Sequence, residues 1–190
     1  MKNRNIGLFS GSFNPIHNGH LILANYICEY EGLDEIWFVV SPLNPLKSSD
    51  ELLNNEIRYR WVEQAIAPYS RFRACDIEFE MPLPSYTIQT LKALKERYAG
   101  IEFTLIIGSD NWLCFEQWKD YQSIIDNYQI LIYPRKGYEI ADQGGLPASV
   151  RLTCAPQIEI SSSFIRKAKS EGKEVPFFLP PAIYEEWMKE

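Results

Sequence analysis

The chain has 190 residues, 46% of them hydrophobic and 14% aromatic, which supports one domain, residues 1–190, with a real core and excludes a disordered protein. A formal charge of −6 excludes a general nucleic-acid binder, so an anionic ligand has to be met by a few local positive groups. Apolar runs such as Ile36–Val40 are too short to span a membrane, and Met1–Asn5 carries no secretory apolar stretch.

In chain order, Ile6-Gly7-Leu8-Phe9 marks a buried strand over 5–10, followed by a small-residue turn and a helix over 20–31. Residues 35–41, rich in β-branched and aromatic side chains, predict a second strand. A Pro/Asn/Ser loop fills 42–50, and a helix over 54–67 is closed by Pro68. A bent strand is expected over 71–80, a helix from Tyr86 to Tyr98, and a buried strand over 102–107. Strands at 128–133 and 151–155 and helices at 161–170 and 182–189 complete the series, while 138–150 matches no pattern. Strands alternating with helices of this length imply right-handed crossovers and a mostly parallel sheet covered on both faces. Ligands in such sheets sit at the carboxyl ends of the strands.

Both histidines of the chain, His17 and His20, fall in the turn after the first strand, at the start of the first helix. Free backbone N–H groups and the helix dipole favour an anion there. Gly19 between them keeps a side chain away from an approaching phosphate. Near the other end of the chain, Ile160-Ser161-Ser162-Ser163-Phe164-Ile165-Arg166 places an N-cap serine, Ser161 or Ser162, one turn before an arginine. The cysteines Cys28, Cys75, Cys114 and Cys154 are widely spaced with no C-x-x-C pair, so they read as reduced thiols of a cytoplasmic protein.

The segment Gly11-Ser12-Phe13-Asn14-Pro15-Ile16-His17-Asn18-Gly19-His20 resembles the signature block of the HxGH nucleotidyltransferases, and 160–166 resembles their second phosphate element. Two blocks in the expected order, far apart in the chain, make the resemblance specific. It implies an α/β, Rossmann-like, doubly wound sheet and transfer of a nucleotidyl group from ATP. Such transfer to a phosphate monoester needs no general base, because the acceptor is already largely a dianion at neutral pH. Catalysis is then positioning and charge stabilisation. Flanking phosphates are expected to keep the imidazoles more protonated, and Mg2+ is expected to arrive on the triphosphate and its waters, with no protein cage.

Further segments resemble the nicotinate-nucleotide adenylyltransferase branch of NAD biosynthesis. They are the loop Ser41-Pro42-Leu43-Asn44-Pro45-Leu46-Lys47, Arg58, Ser85-Tyr86-Thr87, Ile107-Gly108-Ser109-Asp110-Asn111, Trp118 and Pro134-Arg135-Lys136-Gly137-Tyr138. The resemblance spans residue 6 to about 180. It implies His17, His20, Arg166 and Lys47 as catalytic residues. It implies Gly11, Ser12, Phe13, Gly19, His20, Gly108, Asp110, Ile160, Ser162, Ser163 and Arg166 as ATP contacts. The acceptor, nicotinate mononucleotide, would meet Ser12, Lys47, Ser85, Tyr86, Thr87, Trp112, Trp118 and Arg135. Trp112 and Trp118, six apart, point in different directions if they lie on one helix. Ser10 and Asn14 stand where the family has Gly and Asp. Still open at this point are a nicotinamide mononucleotide or phosphopantetheine acceptor, a cytidylyltransferase, a non-catalytic nucleotide sensor, and a homo-oligomer.

Overall fold

A computed structural model describes residues 3–42, 52–141 and 144–190. Six strands form one sheet: β1 (Arg4–Gly11), β2 (Glu35–Val40), β3 (Phe72–Cys75), β4 (Ile101–Gly108), β5 (Gln129–Tyr133) and β6 (Val150–Leu152). Their order is β3-β2-β1-β4-β5-β6 and every pairing is parallel, the doubly wound arrangement expected for this alternation.

The two-residue period of each strand divides the apolar side chains between two faces. Ile6 and Leu8 of β1, Trp37 and Val39 of β2, and Phe103, Leu105 and Ile107 of β4 enter one core. Phe9, Ile36, Phe38, Val40 and Ile106 enter the other. Helices α1 (Asn18–Tyr30), α2 (Asn55–Ile66), α6 (Ser162–Ser170) and α7 (Pro181–Lys189) cover the second face. Helices α3 (Thr87–Arg97) and α5 (Tyr121–Asn127) cover the first, with the single turn α4 (Ser109–Trp112) after β4. In α1 the buried side chains Leu23, Ala24, Ile27 and Cys28 follow the three-and-four spacing of a one-sided helix.

Two expectations are corrected. The strand expected over 71–80 ends at Cys75, and Ile77–Glu80 forms a 3-10 turn that carries Ile77 and Glu78 inward. Residues 112–118 are not one helix, because α4 stops at Trp112 and a 3-10 turn spans Phe115–Gln117. Helix α5 has seven residues and buries only Ile124, too weak a pattern to be seen in advance. The strand order reverses between β1 and β4, whose carboxyl ends, Gly11 and Gly108, open the crevice where such sheets take ligands.

Among the described residues no helix is long and apolar enough to cross a membrane.

Arg58 holds the rim of this crevice. It is fully buried on α2. Its guanidinium donates to the carbonyl oxygens of Leu53 (2.9 Å), Ser41 (2.9 Å) and Ser12, and to the Asn55 side chain. Three loop ends are thus tied to one planar fork, and burial pulls the arginine down to about 10 without neutralising it. Lysine carries the charge but has three donors and no fork. Arg58→Lys is therefore expected to lower stability by about 2–4 kcal/mol, through carbonyls left unpaired around a buried cation. Thermal melting checks this, and an unchanged melting temperature contradicts the clamp.

Candidate active site

Helix α1 begins with a reciprocal cap. His17, in extended backbone conformation, is the N-cap residue, and its Nδ1 accepts from the backbone N–H of His20 (3.3 Å). The backbone N–H of His17 donates to Nδ1 of His20 (3.2 Å). This is the geometry of a capping box, with imidazoles replacing the usual hydroxyl and carboxylate. The rings stack with centroids 3.6 Å apart and planes 19° from parallel. Each Nδ1 is engaged as an acceptor, so each neutral ring carries its proton on Nε2.

Charge points the same way. His17 is buried, and desolvation, helped by the Arg135 guanidinium, takes it from 6.5 down to about 3. In the free protein, without the flanking phosphates, His17 is thus neutral at physiological pH. It is a neutral donor, and the Arg135 guanidinium near it carries the positive charge.

The glycines also have packing reasons. A Cβ on Gly19 would stand 3.0 Å from His17 Nδ1 and 3.2 Å from Ile160 Cβ, so the residue makes room for the stacked imidazole and the incoming α6 loop. A Cβ on Gly11 would stand 3.0 Å from the Phe13 ring. Phe13 itself has φ +44, a left-handed conformation costly for an aromatic residue. Its ring is buried edge-on to His20 (5.1 Å) and Phe9 (6.0 Å), and Arg58 holds the preceding Ser12 carbonyl. Phe13 supports the imidazole pair from inside the protein.

Helix α6 arrives across the same turn. Ser161 is its N-cap, accepting from the Phe164 N–H (3.2 Å). Ser162 donates to the Pro15 carbonyl (2.9 Å) and Arg166 to the Asn14 carbonyl (2.8 Å). Ser163 is exposed. Asn14, where the family has Asp, accepts from the Leu53 N–H (3.4 Å). The second motif is thus fastened to the first, although Asn14 and Arg166 lie 152 residues apart in the chain.

Two cavities meet at the switch point and share Phe9 and Tyr133 as a wall. One is lined by His17, Gly19, His20, Arg135, Lys136, Ile160 and Ser161. The other opens between Gly11 and Gly108 and is lined by Ser85, Tyr86, Thr87, Asn111, Trp118 and Lys119, with Glu78 at its buried side. A Cβ on Gly108 would collide with Asp110. Asp110 pairs with Arg135 (2.9 Å) through Oδ2, while its buried Oδ1 makes no hydrogen bond. Trp118 faces the second cavity, whereas Trp112 stacks on Phe115 (5.2 Å) and lines neither cavity. Lys47 lies outside the described residues. Sequence reasoning did not single out Glu78 or Lys119. Glu78 accepts from the hydroxyls of Ser85 (2.8 Å) and Thr90 (2.8 Å), and Lys119 sits one residue beyond Trp118.

A parallel sheet with an imidazole-capped helix start at its switch point defines a nucleotidyltransferase. The family described as cytidylyltransferase-like matches residues 8–168, and the chain belongs to it. Within it, the chain belongs to the nicotinate-nucleotide adenylyltransferases. It is 53% identical over 94% of its length to a protein of Bacteroides fragilis, and 54% identical over 94% to one of Bacteroides thetaiotaomicron. Each is named "Probable nicotinate-nucleotide adenylyltransferase", and the match covers 88% of each. The fold is similar to that of Plasmodium falciparum nicotinic acid mononucleotide adenylyltransferase complexed with NaAD, with a TM-score of 0.83 at 23% identity over 98% of this chain and 95% of that one.

The burial of His17 fixes a pH dependence. Its folded value near 3 lies below the unfolded 6.5, so between them the unfolded chain binds a proton that the folded chain refuses. The contribution is complete above pH 6.5 and is lost as pH falls toward about 3, at up to roughly 1.4 kcal/mol per pH unit. His17→Asn keeps a capping oxygen but does not titrate. Urea midpoints should fall less in this variant than in the wild type between about pH 7 and about pH 5. Equal losses contradict a buried neutral imidazole.

Proposed function

We infer that this protein transfers the adenylyl group of ATP to nicotinate mononucleotide, giving nicotinate adenine dinucleotide and pyrophosphate in NAD biosynthesis. The observation that carries this reading is the placing of two cavities on either side of a wall formed by Phe9 and Tyr133, one of them at the capped helix start. The cavity with His17, His20 and Arg135 suits a triphosphate, and the cavity with Tyr86 and Trp118 suits a flat ring.

The acceptor's phosphate oxygen attacks the α-phosphorus of ATP. The bond from that phosphorus to the α,β-bridging oxygen breaks, and pyrophosphate leaves with the electron pair. No proton has to be removed from the dianion. The Nε2–H groups of His17 and His20 donate to phosphate oxygens, and Arg135 and Arg166 supply fixed charge beside them. Ser12, Lys47 and Arg135 serve the acceptor phosphate. Trp118 offers its face to the pyridine ring, and Ser85 holds the segment through Glu78. ATP enters as its magnesium complex, and the unbonded Oδ1 of Asp110 is the carboxylate oxygen that suits a water of that ion. The chain acts as one domain in the cytoplasm.

The test is pyrophosphate release from ATP and magnesium with each candidate acceptor. His20→Ala should lower turnover by hundreds of times, the effect of losing one transition-state donor at roughly 3–4 kcal/mol. Stability should fall only by what a helix cap is worth, about 0.5–2 kcal/mol. Near-normal turnover in the folded variant removes His20 from the reaction, and release with phosphopantetheine alone removes the acceptor.

A further inference from the structure

The cavity assigned above to the pyridine ring contains two charged groups in different circumstances. Glu78 is buried, and both its oxygens accept from hydroxyls, Oε2 from Ser85 (2.8 Å) and Oε1 from Thr90 (2.8 Å). Lys119 is exposed at the mouth, with its Nζ 4.5 Å from the centre of the Tyr86 ring. Among the described residues Lys119 pairs with no carboxylate.

The backbone holds this lysine in place. Trp118 is extended at the end of the 3-10 turn, and Asp120 is left-handed with φ 51 and ψ 37 before α5 begins. The chain thus turns sharply just after Lys119, and Tyr86, fixed at the start of α3, gives the ammonium a point of rest.

A ring carboxylate entering this cavity comes toward Glu78, a like charge, and the ammonium at the mouth offsets that repulsion. An uncharged amide gains nothing from it. We propose that Lys119 is a specificity residue through which this protein favours an acceptor bearing a ring carboxylate over its amide counterpart. The proposal rests on the assignment of this cavity to the acceptor.

The test compares equilibrium binding of nicotinate mononucleotide and nicotinamide mononucleotide, by calorimetry, to the wild type, Lys119→Met and Lys119→Arg. Steady-state kinetics and melting temperatures accompany it. Lys119→Met should weaken acid binding about two- to fivefold, the scale of an exposed charge pair, and leave amide binding unchanged. The kinetic loss should appear in KM for the acid, with kcat and KM for ATP kept. Lys119→Arg should retain most of the preference, and added salt should weaken acid binding to the wild type but not to Lys119→Met. An unchanged acid-to-amide ratio in Lys119→Met overturns the proposal, as does an equal loss for both ligands with a lowered melting temperature. If the acid binds and Lys119→Met behaves as expected but no pyrophosphate is released, the fault lies in the adenylyl-transfer reading.

Discussion

Two hydrogen bonds, from each backbone N–H of the His17/His20 pair to the other's Nδ1, set the chemistry of this site. They close the first turn of α1 and fix both rings in one orientation. They also leave Nε2–H as the only donor each neutral ring can offer. Burial then keeps His17 neutral. On the proposed reading, a protein of net charge −6 receives polyanions at a helix start with neutral donors, while arginine carries the charge. The division has an energetic logic, since a buried imidazolium without a partner is costly in the free protein, whereas arginine stays charged wherever it is placed.

The rest of the fold holds that turn still. The sheet brings β1 and β4 side by side with their carboxyl ends at the same level. Arg58 ties the loop after β1 to the loop after β2 and to the start of α2. Ser162 and Arg166 tie the far end of the chain to Pro15 and Asn14. Phe13, held in a left-handed conformation, packs its ring beneath His20. Each contact orders a carbonyl or a ring on the protein side of the turn, leaving its outer side to a ligand.

The sheet was legible because a buried parallel strand is a dense apolar run, and all six were found close to their places. A bend was expected within 71–80, but the end of the strand at Cys75 and the 3-10 turn after it were not legible, because that turn carries Glu78 to the hydroxyls of Ser85 and Thr90, a contact between segments that no local pattern announces. The HxGH block was read as a phosphate site at a free helix start, and its capping role was missed. The three-residue spacing of a capping box was present in His17 and His20, with imidazoles in place of the familiar Ser and Glu. Gly11 and Gly19 were marked for a ligand, yet their lack of a Cβ first serves Phe13 and His17. Lys119 went unseen because a single lysine carries no signal until Tyr86, from another element, is seen beneath it.

The account depends on the protonation state and tautomer of two rings, and these are the only histidines in the chain. Nitrogen-15 NMR of the histidine-labelled free protein reads this directly, since protonated and lone-pair ring nitrogens resonate far apart. Both rings should show a lone pair on Nδ1 and a proton on Nε2 at neutral pH, and His17 should keep that pattern down to about pH 5. A proton on Nδ1 of either ring, or a His17 that titrates near its ordinary value of 6.5, would contradict the capped, neutral pair.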